Sequence, residues 1–233
     1  MHIGLIGGIG VAATVSYYER LTKEVAGRGQ KLELTIVHAD VQTLIANNAA
    51  NRRAEQAQIY AGLIDRLKAA GCDCASITSL GGHFCYGETV DRSSLPLVSG
   101  VSPLDTYFAH QGIQTVGLLG TRVVMATRLY GQLTQTTAVA LDDRIEQLDN
   151  AYIDMAVAGT CDDARRAMFI EAGRQMVADQ GAEAIVLAGT DLSLAFGGVT
   201  TDYPVIDALD VHVGVLADLA TGRVALSEVA DGT

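Results

Sequence analysis

Four short segments carry the residue types that chemistry on a small acid requires: Gly7-Gly8-Ile9-Gly10, Ser79-Leu80-Gly81-Gly82-His83, Gly120-Thr121 and Gly189-Thr190-Asp191. Each contains Gly, Ser or Thr. Glycine lets backbone N–H groups approach an anion closely, and hydroxyls add further donors. Their shared chemistry suits a small carboxylate. Gly8, Ile9, Gly10, Gly81, Thr121 and Thr190 are therefore candidate substrate-binding residues, Thr after a strand being also a common helix N-cap. Ser79 is a hydrogen-bond donor, or a nucleophile if a base such as His83 reaches it. Cys85, two residues beyond His83, reads as a buried structural thiol, because free Cys is among the most buried residue types.

The elements that position these segments follow from the apolar pattern. Ile3 to Gly7 is a short apolar run that ends in a glycine turn, and Val11 to Ala26 then shows helical spacing, with charges at Glu19, Arg20, Lys23 and Glu24. A second strand is expected from Leu32 to His38. From Asn51 to Ala70 the chain reads as an amphipathic helix in which Ala57, Tyr60, Ala61, Ile64 and Leu67 share a face, and Gly71 ends it.

The pattern then repeats. Ile3-Gly4-Leu5-Ile6-Gly7 matches Val116-Gly117-Leu118-Leu119-Gly120 at an offset of 113 residues. The segment that begins Gly71-Cys72-Asp73-Cys74 matches the one that begins Gly181-Ala182-Glu183-Ala184 at an offset of 110. Ser79 lies eight residues after Gly71 and Gly189 eight after Gly181, so the two are equivalent positions. The fold class expected is α/β, with two pseudo-symmetric open parallel-sheet halves, helices on both faces of each, and a site in the crevice between them. Residues 1–98 plus 208–233 form the first half and residues 99–207 the second.

These motifs, with Ala13-Thr14 after the first glycine turn, resemble the aspartate/glutamate racemase family over nearly the whole chain. In that family two cysteines at pseudo-symmetric strand ends, in motifs similar to Cys-Asn-Thr-x-His and Gly-Cys-Thr-Glu, move the α-proton without a cofactor. Here Ser79 and Gly189 stand in their places. A serine hydroxyl is a far weaker acid than a thiol and glycine offers no group, so a two-thiol mechanism is closed. The resemblance implies catalytic positions at Ser79, Gly189, His83 and Asp191. His83 matches the motif histidine, a general base or carboxylate partner, and Asp191 the motif glutamate, which orients a neighbour or caps the next helix. Arg52 and Arg53 lie where relatives of acidic substrates carry a clamping arginine, whereas Met155 stands where some carry a basic residue.

The function implied is a cofactor-independent, racemase-like isomerase acting on a small carboxylate or amino acid. The alternatives are an altered or inactive homologue that only binds such a ligand, or a related lyase. The family commonly dimerises, which implies a homodimer. A net charge of −11 works against nucleic acid and anionic membrane as partners. The first residues lack a basic export signal, no apolar run approaches the roughly 20 residues of a membrane helix, and a cytoplasmic location is expected. The four cysteines form no zinc or redox pattern, and no metal is expected. Gly8 to Ala13 also fits the GxGxxA dinucleotide fingerprint with Asp40 as the ribose acid, but the spacing to Asp40 is too long and the second half has no counterpart. None of the lysines Lys23, Lys31 and Lys68 sits at a strand end, which disfavours pyridoxal phosphate.

Overall fold

In the computed structural model, which describes residues 1–8 and 10–232, the apolar run at the start of the chain is the centre of a sheet. It forms β1 (His2–Gly7), buried from Ile3 onward, as expected of a parallel strand covered on both faces. Parallel neighbours need crossover helices. The chain supplies them as α1 (Val11–Gly27) before β2 (Glu33–His38), then α2 (Val41–Ala49) and α3 (Arg53–Ala69) before β3 (Cys74–Ile77). A 3₁₀ turn (Leu80–Cys85), α4 (Tyr86–Val90) and β4 (Leu97–Val98) follow. The sheet order is β2-β1-β3-β4, with the C-terminal β9 (Ala230–Asp231), reached through α11 (Leu226–Val229), antiparallel on the edge beside β4.

The second sheet repeats this device. Its order is β6-β5-β7-β8, all parallel, from β5 (Thr115–Gly120), β6 (Thr137–Val139), β7 (Ala184–Ala188) and β8 (Val205–Asp207). Its helices are α6 (Arg122–Ala126), α7 (Ile145–Ala158), α8 (Asp163–Gln180) and the short α9 (Ser193–Phe196). The described residues divide into two compact units, residues 1–103 with the segment from His212 onward, and residues 104–211. The chain passes between them within α5 (Ser102–His110) and returns within α10 (Ala208–Ala220).

The amphipathic face expected from Ala57 to Leu67 is buried in α3, together with Gln56 and Leu63. The helix starts at Arg53 because Asn51 takes a left-handed conformation, φ 50°, which breaks it from α2. The periodicity at 41–49 had not marked α2 as a helix. Its start is set by Asp40, whose carboxylate accepts from the Thr43 N–H at 2.7 Å and its hydroxyl at 2.6 Å. Asp40 is thus a helix cap and not a ribose-binding acid.

Each sheet has its topological switch point beside its first strand, where β1 lies between β2 and β3 and β5 between β6 and β7. In open α/β sheets this is where strand C-termini splay and ligands bind. It brings Gly7–Gly8 beside Thr78–Ser79 in the first unit, and Gly120–Thr121 beside Gly189–Asp191 in the second.

Candidate active site

In the first unit the glycine turn after β1 is tied by Thr14, the fourth residue of α1. Its hydroxyl oxygen accepts from the Gly8 N–H at 2.8 Å and donates to the Gly10 carbonyl at 3.0 Å. The Gly8 amide is therefore taken, which corrects the expectation that it is open to an anion. Gly8 has φ 89°, and a Cβ there would lie 2.4 Å from both the Ala39 carbonyl oxygen and His38 Nδ1, so no other residue fits. Ile9, expected to bind substrate, lies outside the described residues.

Ser79 caps the 3₁₀ turn with an extended backbone, φ −148° and ψ 124°, and its carbonyl accepts from the Gly82 N–H at 3.1 Å. The hydroxyl is half-buried and makes no hydrogen bond among the described residues. His83 was expected as a base, and the structure removes that role. The ring is 1% exposed, donates from Nδ1 to the Ser79 carbonyl at 2.7 Å, and accepts the Gly100 N–H on Nε2 at 2.9 Å. Both nitrogens are used. Burial holds the imidazole neutral, with its pKa lowered to about 4, and the ring stacks on Tyr86 at 5.2 Å. His83 fixes the backbone beneath Ser79 and has no lone pair left for a substrate.

A second buried histidine supports the same layer. His212 Nε2 lies 2.9 Å from Ser76 Oγ, which gives its own proton to the Val98 carbonyl at 2.7 Å. Ser76 must therefore accept from Nε2–H, which leaves His212 Nδ1 to accept the Tyr17 hydroxyl at 2.7 Å. Burial lowers this pKa as well, to about 3.

The Gly81 carbonyl accepts from Asn48 Nδ2 of α2 at 3.2 Å. Arg53 pairs with Glu88, one contact being 3.0 Å, and is not free to clamp a ligand. Arg52 is exposed at the start of α3 and forms no ion pair among the described residues. Cys85 is fully buried and burial pushes its thiol up to about 11, so it is structural. A further group, not marked by the residue pattern as part of a site, is at this edge: His38 ends β2, is exposed, and lays its ring against Gly8 with no hydrogen bond among the described residues. Its signal was its place as the last residue of an apolar strand.

In the second unit Thr121 precedes α6, but the cap is supplied by Asp149, which accepts the Arg122 N–H at 2.7 Å. The Thr121 hydroxyl is left buried without a partner among the described residues. Gly189 is extended, φ −160° and ψ 123°, and its carbonyl accepts from the Leu192 N–H at 3.0 Å. A Cβ on it would lie 2.7 Å from Tyr152 Cε2 and 2.8 Å from the phenolic oxygen. Tyr152, buried on α7, thus occupies the volume of any side chain at 189. Its hydroxyl donates to Asp191 at 3.0 Å, so of the two roles expected of Asp191, orienting a neighbour and capping the next helix, the contact fits the first. Burial first, then the Asp191 carboxylate, raises the phenol pKa well above its ordinary value. The Thr190 hydroxyl is half-buried and unpartnered among the described residues. Met155 is buried in α7.

Among the described residues no three His, Cys, Asp or Glu side chains converge as metal ligands, and no helix is long and apolar enough to cross a membrane. A cavity of about 350 Å³ lies at the end of β8, lined by Tyr107, Asp207 and Asp210 among others. Its two carboxylates oppose an acidic ligand.

Comparison with known proteins gives the arrangement a context. Residues 6–216 match the family model for Asp/Glu/hydantoin racemases. A putative Asp/Glu racemase from Yersinia pestis superposes with a TM-score of 0.84 at 23% identity, covering 95% of this chain and 100% of that one. An aspartate racemase homologue from Pyrococcus horikoshii gives 0.80 at 21% identity, covering 94% and 99%. A glutamate racemase from Francisella tularensis, in complex with D-glutamate, gives 0.64 at 12% identity, covering 95% and 81%. At these identities the structural likeness establishes the fold alone.

Proposed function

The chain belongs to the Asp/Glu/hydantoin racemase family, and from that premise we propose that it is a racemase-like isomerase that acts on a small carboxylate through hydroxyl and imidazole groups, without a cofactor. One observation carries the reading. The hydroxyls of Ser79, Thr121 and Thr190, at equivalent switch-point edges of the two sheets, have no partner among the described residues. Hydroxyls left open at strand ends are donors that a ligand's carboxylate can satisfy, and a buried one such as Thr121 costs about 1–3 kcal/mol while it stays empty. The D-glutamate held by the Francisella relative supports a small amino dicarboxylate as the ligand class.

In this reading Ser79 binds and orients the carboxylate, with Arg52 of the same unit as the cation available for a second acidic group, and Thr121 and Thr190 are the corresponding donors of the second unit. His38, exposed beside the first glycine turn and without a hydrogen bond among the described residues, serves as the base for the α-proton. His83 and Gly81 position the Ser79 turn and touch no substrate. A lyase variant is favoured by one observation, the closure of both His83 nitrogens. A substrate that makes its own carbanion by losing carbon dioxide needs only a proton, which hydroxyls supply without a base.

The test is proton NMR in deuterium oxide with amino acids and 2-hydroxy acids, together with carbon dioxide release from 2-substituted malonates. Loss of the α-proton signal, or release of product, is expected, and His38→Gln reduces exchange about 100-fold. Silence in both assays contradicts the reading and leaves a non-catalytic carboxylate binder.

A further inference from the structure

We propose that the segment from Ala225 to Asp231 is a strap that fixes the Ser79 turn from the β9 edge of the first sheet, latched where the Asp231 carboxylate meets the Tyr86 hydroxyl. The inference rests on the reading given above for what the turn does, and goes beyond it in naming what positions that turn. Every group in it belongs to the first unit. The contacts run in series. Asp231 of β9 lies opposite Leu97 of β4, and its Oδ2 accepts from the Tyr86 hydroxyl at 3.0 Å. The Tyr86 ring stacks on His83, with centroids 5.2 Å apart and planes within 11° of parallel. His83 in turn donates to the Ser79 carbonyl and accepts the Gly100 N–H, so the ring that Tyr86 backs is the one that joins the Ser79 turn to the end of β4. Asp231 and Tyr86 act through His83 and are positioning residues.

The strap is held lightly. Every residue of α11 and β9 is exposed or half-buried, and β9 is two residues long, so few apolar contacts secure the segment and its local stability is low. Glu228 ties the segment to itself, accepting the Ala225 N–H at 2.9 Å. Tyr86 has one hydroxyl proton and two acceptors for it, Asp231 and the Leu97 carbonyl at 3.1 Å. With the strap in place the charged acceptor forms the stronger bond. With the strap lifted the phenol turns to Leu97 and keeps a partner, so release leaves no buried donor unsatisfied. What release removes is the fixed place of the ring behind His83, and with it the hold on the Ser79 carbonyl. The segment thus has two arrangements, and one of them leaves the Ser79 turn loose.

The experiment is amide hydrogen exchange by NMR on the full chain, comparing the wild-type protein with Asp231→Leu, which keeps bulk and removes the acceptor, and Asp231→Asn, which keeps an acceptor. The Gly82 N–H, bound to the Ser79 carbonyl, and the Gly100 N–H, bound to His83, report on the turn. The Leu192 N–H, bound to the Gly189 carbonyl at the equivalent place in the second unit, is the control. Asp231→Leu should speed exchange at Gly82 and Gly100 at least about 10-fold and leave Leu192 unchanged, whereas Asp231→Asn should stay within about threefold of wild type. Exchange at Gly82 and Gly100 within about twofold of wild type in Asp231→Leu overturns the strap. So does an equal acceleration at Leu192, which marks general loosening, or an Asp231→Asn variant as fast as Asp231→Leu. In the deuterium-incorporation assay named above, Asp231→Leu should raise KM more than it lowers kcat, because the Ser79 turn binds the carboxylate; an unchanged KM in an active protein overturns the link between strap and site. A wild-type protein without turnover overturns the proposed function, while the strap is decided by exchange at Gly82 and Gly100.

Discussion

The turns at Ser79 and Gly189 share one backbone and differ in what surrounds it. Their dihedrals agree within about a dozen degrees, each opens a 3₁₀ turn, and each carbonyl accepts the N–H three residues on. At Ser79 the strand end keeps its own hydroxyl, and the polar work beneath it is done by a histidine that ties Ser79 to Gly100. At Gly189 the strand end has no side chain, and a tyrosine and an aspartate from neighbouring elements fill the place. A duplicated scaffold can therefore keep a backbone position while changing which element fills the space beside it.

The largest contrast between the units is in their response to acid. His83 and His212, both in the first unit, have folded pKa values lowered to about 4 and about 3 from an ordinary 6.5. Between those limits the unfolded chain binds protons that the folded chain does not, so stability is full above about pH 6.5 and falls as pH drops. At pH 5 the loss is about 2 kcal/mol per histidine. In the second unit burial works against the charged form of Asp105, but the Thr134 N–H and hydroxyl, with the N–H groups of Gln135 and Thr136, outweigh it and lower its pKa, so its contribution is lost only in the carboxylate range. Hydrogen exchange followed by segment from pH 7 to pH 5 should show the first unit loosening first. Equal loosening of both units would break the contrast.

A smaller contrast lies at the two strand ends. Gly189→Ala forces a Cβ against the Tyr152 ring and should destabilise by about 1–3 kcal/mol, whereas Ser79→Ala, which removes an unpartnered half-exposed hydroxyl, should change stability by less than about 0.5 kcal/mol. Chemical denaturation of the two variants gives both values. Smaller still is the contrast between two threonines. Thr14→Val strands the Gly8 N–H and should cost about 1–2 kcal/mol, whereas Thr121→Val removes a buried hydroxyl that has no partner among the described residues and should be neutral or stabilising. A Thr121→Val variant that is clearly destabilised would show that its hydroxyl is satisfied in solution.

Much of this architecture was legible in the residues. Ile3–Gly7 and Val116–Gly120 announced buried parallel strands through continuous apolar runs, and the spacing from Gly71 and Gly181 made Ser79 and Gly189 equivalent before any coordinates. Tyr152 was not legible. Helical spacing puts it on the buried face of α7 with Leu148 and Met155, and its contact with Gly189 joins elements 37 residues apart. His83 could be found but not understood, because its saturation depends on an amide at Gly100 that only the packing of the β4 end brings near. Asp191 could be read as orienting a neighbour or as a cap, but which neighbour it holds, the Tyr152 phenol of α7, was not legible from the Gly-Thr-Asp turn.

The central claim is that this member of the racemase family does its proton chemistry without a thiol. The most direct measurement is α-deuterium incorporation by the wild-type protein before and after treatment with excess iodoacetamide. Incorporation that survives alkylation unchanged is the predicted result. Absence of incorporation, or its loss on alkylation, would contradict the account.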